Sequence, residues 1–99
     1  MQGVYRIVMS ARGSPPKPIR FTPHALEQGT ERGATKEEVI EAIRQGSREP
    51  AKLGREMCRQ NFQFKADWNG RYYAIKQVAP VIVETPKEIV VITVYTFYF

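Results

Sequence analysis

The chain has 99 residues, 42% hydrophobic and 25% charged, with a net charge of +5. That length fits one domain, and the composition is that of a folded globular chain rather than a disordered one. The single cysteine, Cys58, excludes an internal disulfide and a cysteine-only metal site, and it fits a reducing, cytoplasmic setting.

Residues 1–18 read as an N-terminal arm and linker, and residues 19–99 as a single domain. Val4 to Met9 has the composition of a strand. Ser10 to Pro18 follows as a linker, because Gly13, Pro15, Pro16 and Pro18 oppose regular structure. The opening residues do not read as a secretion signal. Residues 1–22 carry four bases and no acid, whereas 23–50 sum to −2 and 51–84 to +3. The helical middle is therefore acidic and the flanking regions are basic, a separation that favours a polyanion on one face.

Ile19-Arg20-Phe21 reads as a short strand. Thr22 caps the helix that follows, Pro23 suits its first position, and Gly33 stops it after Arg32. Leu26 is expected to face the core, with His24, Glu27, Gln28 and Glu31 on the other side. Thr35-Lys36-Glu37-Glu38 is a capping box for a second helix that ends at Gly46. Val39, Ile40 and Ile43 fall on its apolar face. A DNA-reading helix-turn-helix is disfavoured, because this second helix is acidic.

From Met57 the period becomes two. Phe62, Phe64 and Ala66 alternate with Asn61, Gln63 and Lys65. Asn69-Gly70 predicts a hairpin turn, and Arg71 to Val78 the return strand. Pro80 is expected to break or bulge it. Val81 to Val83 then pairs with Ile89 to Val94 around Thr85-Pro86-Lys87-Glu88. The predicted fold is α+β: a short strand, two helices, then an antiparallel meander of about four strands packed on the helices. The longest apolar stretches, Val78 to Val83 and Ile89 to Tyr95, are too short to cross a bilayer as helices, so no membrane partner is expected. The aromatic end, Thr96-Phe97-Tyr98-Phe99, is expected to pack into the core or against a second copy, which makes a homodimer one candidate assembly.

Few residues carry recognisable chemistry. His24 is the only histidine; in the first helical turn it suits proton transfer, while its spacing favours the competing reading of a capping or packing residue. A lone histidine does not make a histidine-rich metal site, and no phosphate-binding loop or dinucleotide fingerprint is present, so no metal or cofactor is expected. Arg55, Arg59, Lys65, Arg71 and Lys76 decorate the strands, with Trp68, Tyr72 and Tyr73 among them. Cations interleaved with rings hold single-stranded nucleic acid, with phosphates on the cations and bases on the rings. The competing reading is the ordinary polar face of alternating strands. Thr93 and Tyr95 are expected to share one face of the last strand with Val91, as buried hydrogen-bonding groups or as groups lining a cleft.

The run Phe21-Thr22-Pro23-His24-Ala25-Leu26-Glu27, with Glu31-Arg32-Gly33, Thr35-Lys36-Glu37-Glu38-Val39 and the late Ile89-Val90-Val91-Ile92-Thr93-Val94-Tyr95, resembles a bacterial family catalogued as domain of unknown function 4258. The resemblance covers about residues 19–96. That family looks related to the barnase–EndoU–colicin–RelE group of small nuclease toxins. The resemblance implies metal-independent RNA cleavage across a curved antiparallel sheet, with an antitoxin-like protein as a partner. It implies His24 as base or acid, Arg32 with Arg71 or Lys76 on phosphate, and Thr93 and Tyr95 as hydrogen-bond donors. Arg55, Arg59, Lys65, Tyr72 and Tyr73 complete the expected RNA-binding set. A non-catalytic protein-interaction module and a plain nucleic-acid binder stand beside this reading.

Overall fold

The computed structural model describes residues 16–99, so the expected Val4–Met9 strand and the first part of the linker lie outside the described residues. The chain forms β1 (Ile19–Phe21), α1 (Pro23–Glu31), α2 (Lys36–Gln45), β2 (Ser47–Pro50), β3 (Glu56–Trp68), β4 (Arg71–Glu84) and β5 (Ile89–Tyr98). The five strands make one sheet in the order β1-β5-β4-β3-β2. β1 lies parallel to β5, and β2 to β5 form an antiparallel meander, which makes the expected α+β arrangement. The docked domain begins slightly before Ile19. The Ile89 N–H donates to the Pro18 carbonyl at 2.9 Å, and Lys17 Nζ sits 2.7 Å from Glu84. Among the described residues no helix is long and apolar enough to cross a membrane.

Both helices start where side chains satisfy their free N–H groups. Thr22 accepts from the Ala25 N–H, and Thr35 and Glu38 close the capping box reciprocally. Thr35→Ala is expected to cost about 1 kcal/mol. Thermal unfolding followed by circular dichroism should then show a melting temperature lower by roughly 4–8 °C.

The core lies between the helices and one sheet face. Val39 and Ile43 of α2 and Ala25 of α1 pack on Cys58, Val78, Ile82, Val91 and Val94. Leu26 does not join them and is 41% exposed. The buried positions of α1 are Ala25, which joins the core on the sheet, and Gly29, which lies against Ala34 of the α1–α2 connection.

Three places in the strands differ from the sequence expectation, two of them by a register shift. Pro80 neither breaks nor bulges β4, which runs through it to Glu84. Ile75 and Phe99 exchange backbone hydrogen bonds, so by alternation the Pro80 nitrogen faces β3. There the β3–β4 ladder skips from Met57↔Val81 to Gln60↔Val78, leaving the missing N–H without a required partner. The second lies in β5. Val81 pairs with Thr93 but Ile82 with Val91, so Ile92 is an extra residue. The bulge keeps Val91 and Val94 on the helix side and turns Thr93 and Tyr95 to the opposite face. Val91 therefore does not share a face with them. The third is at Lys65, whose φ of 48° marks a shift in the β3–β4 register and ends the expected alternation before Ala66. The Asn69-Gly70 turn has positive φ at both residues, 51° and 81°, as its sequence requires.

Candidate nucleic-acid interface

One face of the sheet carries the helices; among the described residues no element covers the other. Strand alternation and register place Gln77, Ala79 and Val81 of β4 with Phe97, Tyr95 and Thr93 of β5 on that uncovered face. Met57, Arg59 and Asn61 of β3 and Glu49 of β2 join them. Ala79, directly opposite Tyr95, is fully buried beneath its larger neighbours.

Tyr95 and Phe97 dominate this face. They are 40% and 41% exposed, and their rings are nearly parallel, 21° apart, with centroids separated by 6.5 Å. A guanidinium attends each ring. Arg32 lies 5.2 Å from the Tyr95 centroid and Arg59 lies 5.6 Å from that of Phe97.

Arg32 reaches Tyr95 because α1 finishes the edge of β5. β1 has only three residues and pairs no further than Val91. Beyond it, helix side chains take the place of a strand. Gln28 Oε1 accepts from the Val94 N–H at 3.3 Å and from the Thr93 hydroxyl. Arg32 Nη1 donates to the Val94 carbonyl at 2.8 Å. The Arg32 carbonyl, at the helix end, accepts from Thr96 at 2.9 Å and from the Tyr98 hydroxyl at 2.6 Å. Burial pushes the Tyr98 hydroxyl above its ordinary pKa, which keeps it a donor.

Arg59 is held from two sides. Its Nε donates to Glu49 at 2.9 Å and its Nη1 to Gln77 Oε1 at 2.9 Å. Gln77 Nε2 in turn donates to Asn61 at 2.8 Å. Next to Tyr95 a groove of about 470 Å³ continues the face. Glu49, Lys52, Arg55, Met57, Thr93 and Tyr95 are among its lining residues. Leu53, 85% exposed at a φ of 62°, stands at its rim.

Arg32, Arg55, Arg59, Thr93 and Tyr95, all expected from the sequence, thus come together at this face and its edge. The other expected residues do not. His24 is exposed in the first turn of α1, about 12 Å of helix axis from Arg32. Lys76 lies on the helix side and is only 7% exposed. Its Nζ sits 2.8 Å from the Gly33 carbonyl and 2.8 Å from Glu38 Oε1, so it ties β4 to the α1–α2 connection. A phosphate there would have to break the ion pair that a buried Lys76 makes with a half-buried Glu38. Arg71 stands at the hairpin end beside Tyr73, and Lys65 is exposed on the bulge. Tyr72 is exposed, but Tyr73 and Trp68 pack on Tyr98, with the Trp68 ring stacked at 4.9 Å. Those two rings stiffen the hairpin and offer no free platform. Cys58 is buried, which raises its thiol pKa and makes it a poor nucleophile. Phe97, Glu49 and Gln77 are not among the residues expected from the sequence. The signal for Phe97 is its place two residues from Tyr95, which puts both on one face.

Comparison with known proteins adds no relative: no family model, curated protein or solved structure matches the chain. The fold and the face together define a class, an α+β domain with a helix-covered sheet and an open aromatic-basic face.

Proposed function

We propose that this domain binds single-stranded RNA across the uncovered face of its sheet. The observation that carries the reading is the pair of exposed rings, Tyr95 and Phe97, each attended by an arginine. Exposed rings lose water favourably when a base stacks on them, and nearby cations hold the phosphates. Arg55 and Lys52 along the groove continue the positive track. A net charge of +5 assists the encounter.

A second reading, metal-independent endoribonuclease, is favoured by one feature: the Glu49 carboxylate and Tyr95 line the same groove, with Arg59 bonded to Glu49. In that reading Glu49 takes the proton of a 2′-hydroxyl, whose oxygen attacks the adjacent phosphorus. Arg59 and Arg55 stabilise the phosphate charge. The bond to the 5′-oxygen breaks as the Tyr95 hydroxyl gives it a proton, leaving a 2′,3′-cyclic phosphate. His24 takes no part.

Two measurements test these readings. Anisotropy of a fluorescent RNA decamer over a range of salt should give an affinity that falls as salt rises. Arg59→Gln should flatten the slope by about 0.7, the contribution of one phosphate on a single strand. An affinity indifferent to salt and to Arg59 defeats the binding proposal. End-labelled RNA incubated in chelator separates the second reading. Cleavage lost in Glu49→Gln and Tyr95→Phe but kept in His24→Ala supports it, and binding without cleavage rejects it.

A further inference from the structure

The spacing of the two rings defines which single strands fit, an inference that rests on the binding proposal above. The Tyr95 and Phe97 centroids are 6.5 Å apart. Bases stacked in a helix are separated by about 3.4 Å along one strand. Two bases lying one on each ring are therefore held farther apart than neighbours that stack on each other. A strand whose bases already stack must give up that stacking to bind.

Two polar side chains beside the rings are already engaged and do not read base edges. Gln77 stands directly opposite Phe97, yet its Oε1 accepts from Arg59 and its Nε2 donates to Asn61. Thr93, the hydroxyl beside Tyr95, donates to Gln28. Gln77 and Thr93, beside the rings, thus already have partners within the protein. Preference then comes from how readily a strand unstacks, which favours pyrimidines over purines.

We propose that the preferred ligand is a flexible, pyrimidine-rich single strand, uridine-rich RNA above all, and that adenosine runs and duplexes are disfavoured. The test uses the wild-type protein with fluorescent U10, A10 and a ten-base-pair RNA duplex at one salt concentration. U10 is expected to bind about fivefold or more tightly than A10, and the duplex more weakly than either. A parallel titration with Tyr95→Leu/Phe97→Leu, checked for its fold by circular dichroism, should remove the difference between U10 and A10. Equal or tighter binding of A10, still dependent on the two rings, overturns this inference and leaves the RNA-binding proposal standing. Absence of binding to every strand, or binding indifferent to the rings, overturns both.

Discussion

Alanine at both Tyr95 and Phe97 is expected to weaken single-stranded RNA binding by about thirtyfold or more. A base stacked on a protein ring contributes roughly 1–3 kcal/mol, so each ring accounts for about five- to 150-fold in affinity. The two rings stand on one strand and are both about 40% exposed, so their removal opens no core cavity. Arg32 and Arg59 keep their other partners, Val94, Glu49 and Gln77, when the rings are gone. The double variant should therefore melt close to the wild-type temperature while its anisotropy titration shifts to much higher protein concentration. An unchanged titration with intact folding places any RNA contact elsewhere on the molecule.

The second large effect is on stability. Gly33 closes α1 at a φ of 80°, where a side chain costs about 1–2 kcal/mol. A Cβ there would lie 2.5 Å from the Tyr98 hydroxyl and 2.8 Å from the Trp68 ring. Both rings belong to the stacked cluster that joins the hairpin to β5, so neither yields easily. Overpacking of this kind adds about 1–3 kcal/mol. Gly33→Ala is thus expected to lose about 2–5 kcal/mol, a large part of the roughly 5–15 kcal/mol that holds a domain folded. Gly70→Ala is the control. It has nearly the same φ, 81°, but meets nothing within 4 Å, so it carries the conformational cost alone. Urea unfolding of both variants should show Gly33→Ala the weaker by at least about 1 kcal/mol. Equal loss would mean that Trp68 and Tyr98 give way.

Local signals in the sequence translated directly. Thr35 and Glu38 announce α2 because a capping box satisfies its own donors within four residues, and Asn69-Gly70 announces the turn because few other residues accept its backbone. Signals that depend on distant partners did not. Ser47–Pro50 is polar and exposed at every position, so nothing in it reads as a strand, and it becomes β2 only by pairing with β3. The bulge at Ile92 has no local mark, since β-branched residues flank it on both sides, yet it decides that Thr93 and Tyr95 face away from the core. Lys76 shows the same limit. Strand composition made it a surface cation, whereas Glu38 and the Gly33 carbonyl, far off in sequence, draw it inside. The open face was thus half legible: its arginines and Tyr95 were visible, but the register that gathers them with Phe97 and Glu49 was not.

The way α1 finishes β5 also bears on self-association. A strand with free N–H and C=O groups invites another chain to extend the sheet. Beyond β1, the Val94 amide and carbonyl of β5 are occupied by Gln28 and Arg32, so a strand from another molecule would first have to displace a docked helix. At the opposite border, β2 is four residues long, carries Arg48 and Glu49 and ends in Pro50, all of which discourage a further pairing in the meander. Gln28 and Arg32 therefore act as end-stops on the β5 edge, and loosening α1 would open that edge, with its β-branched and aromatic residues, to incoming strands.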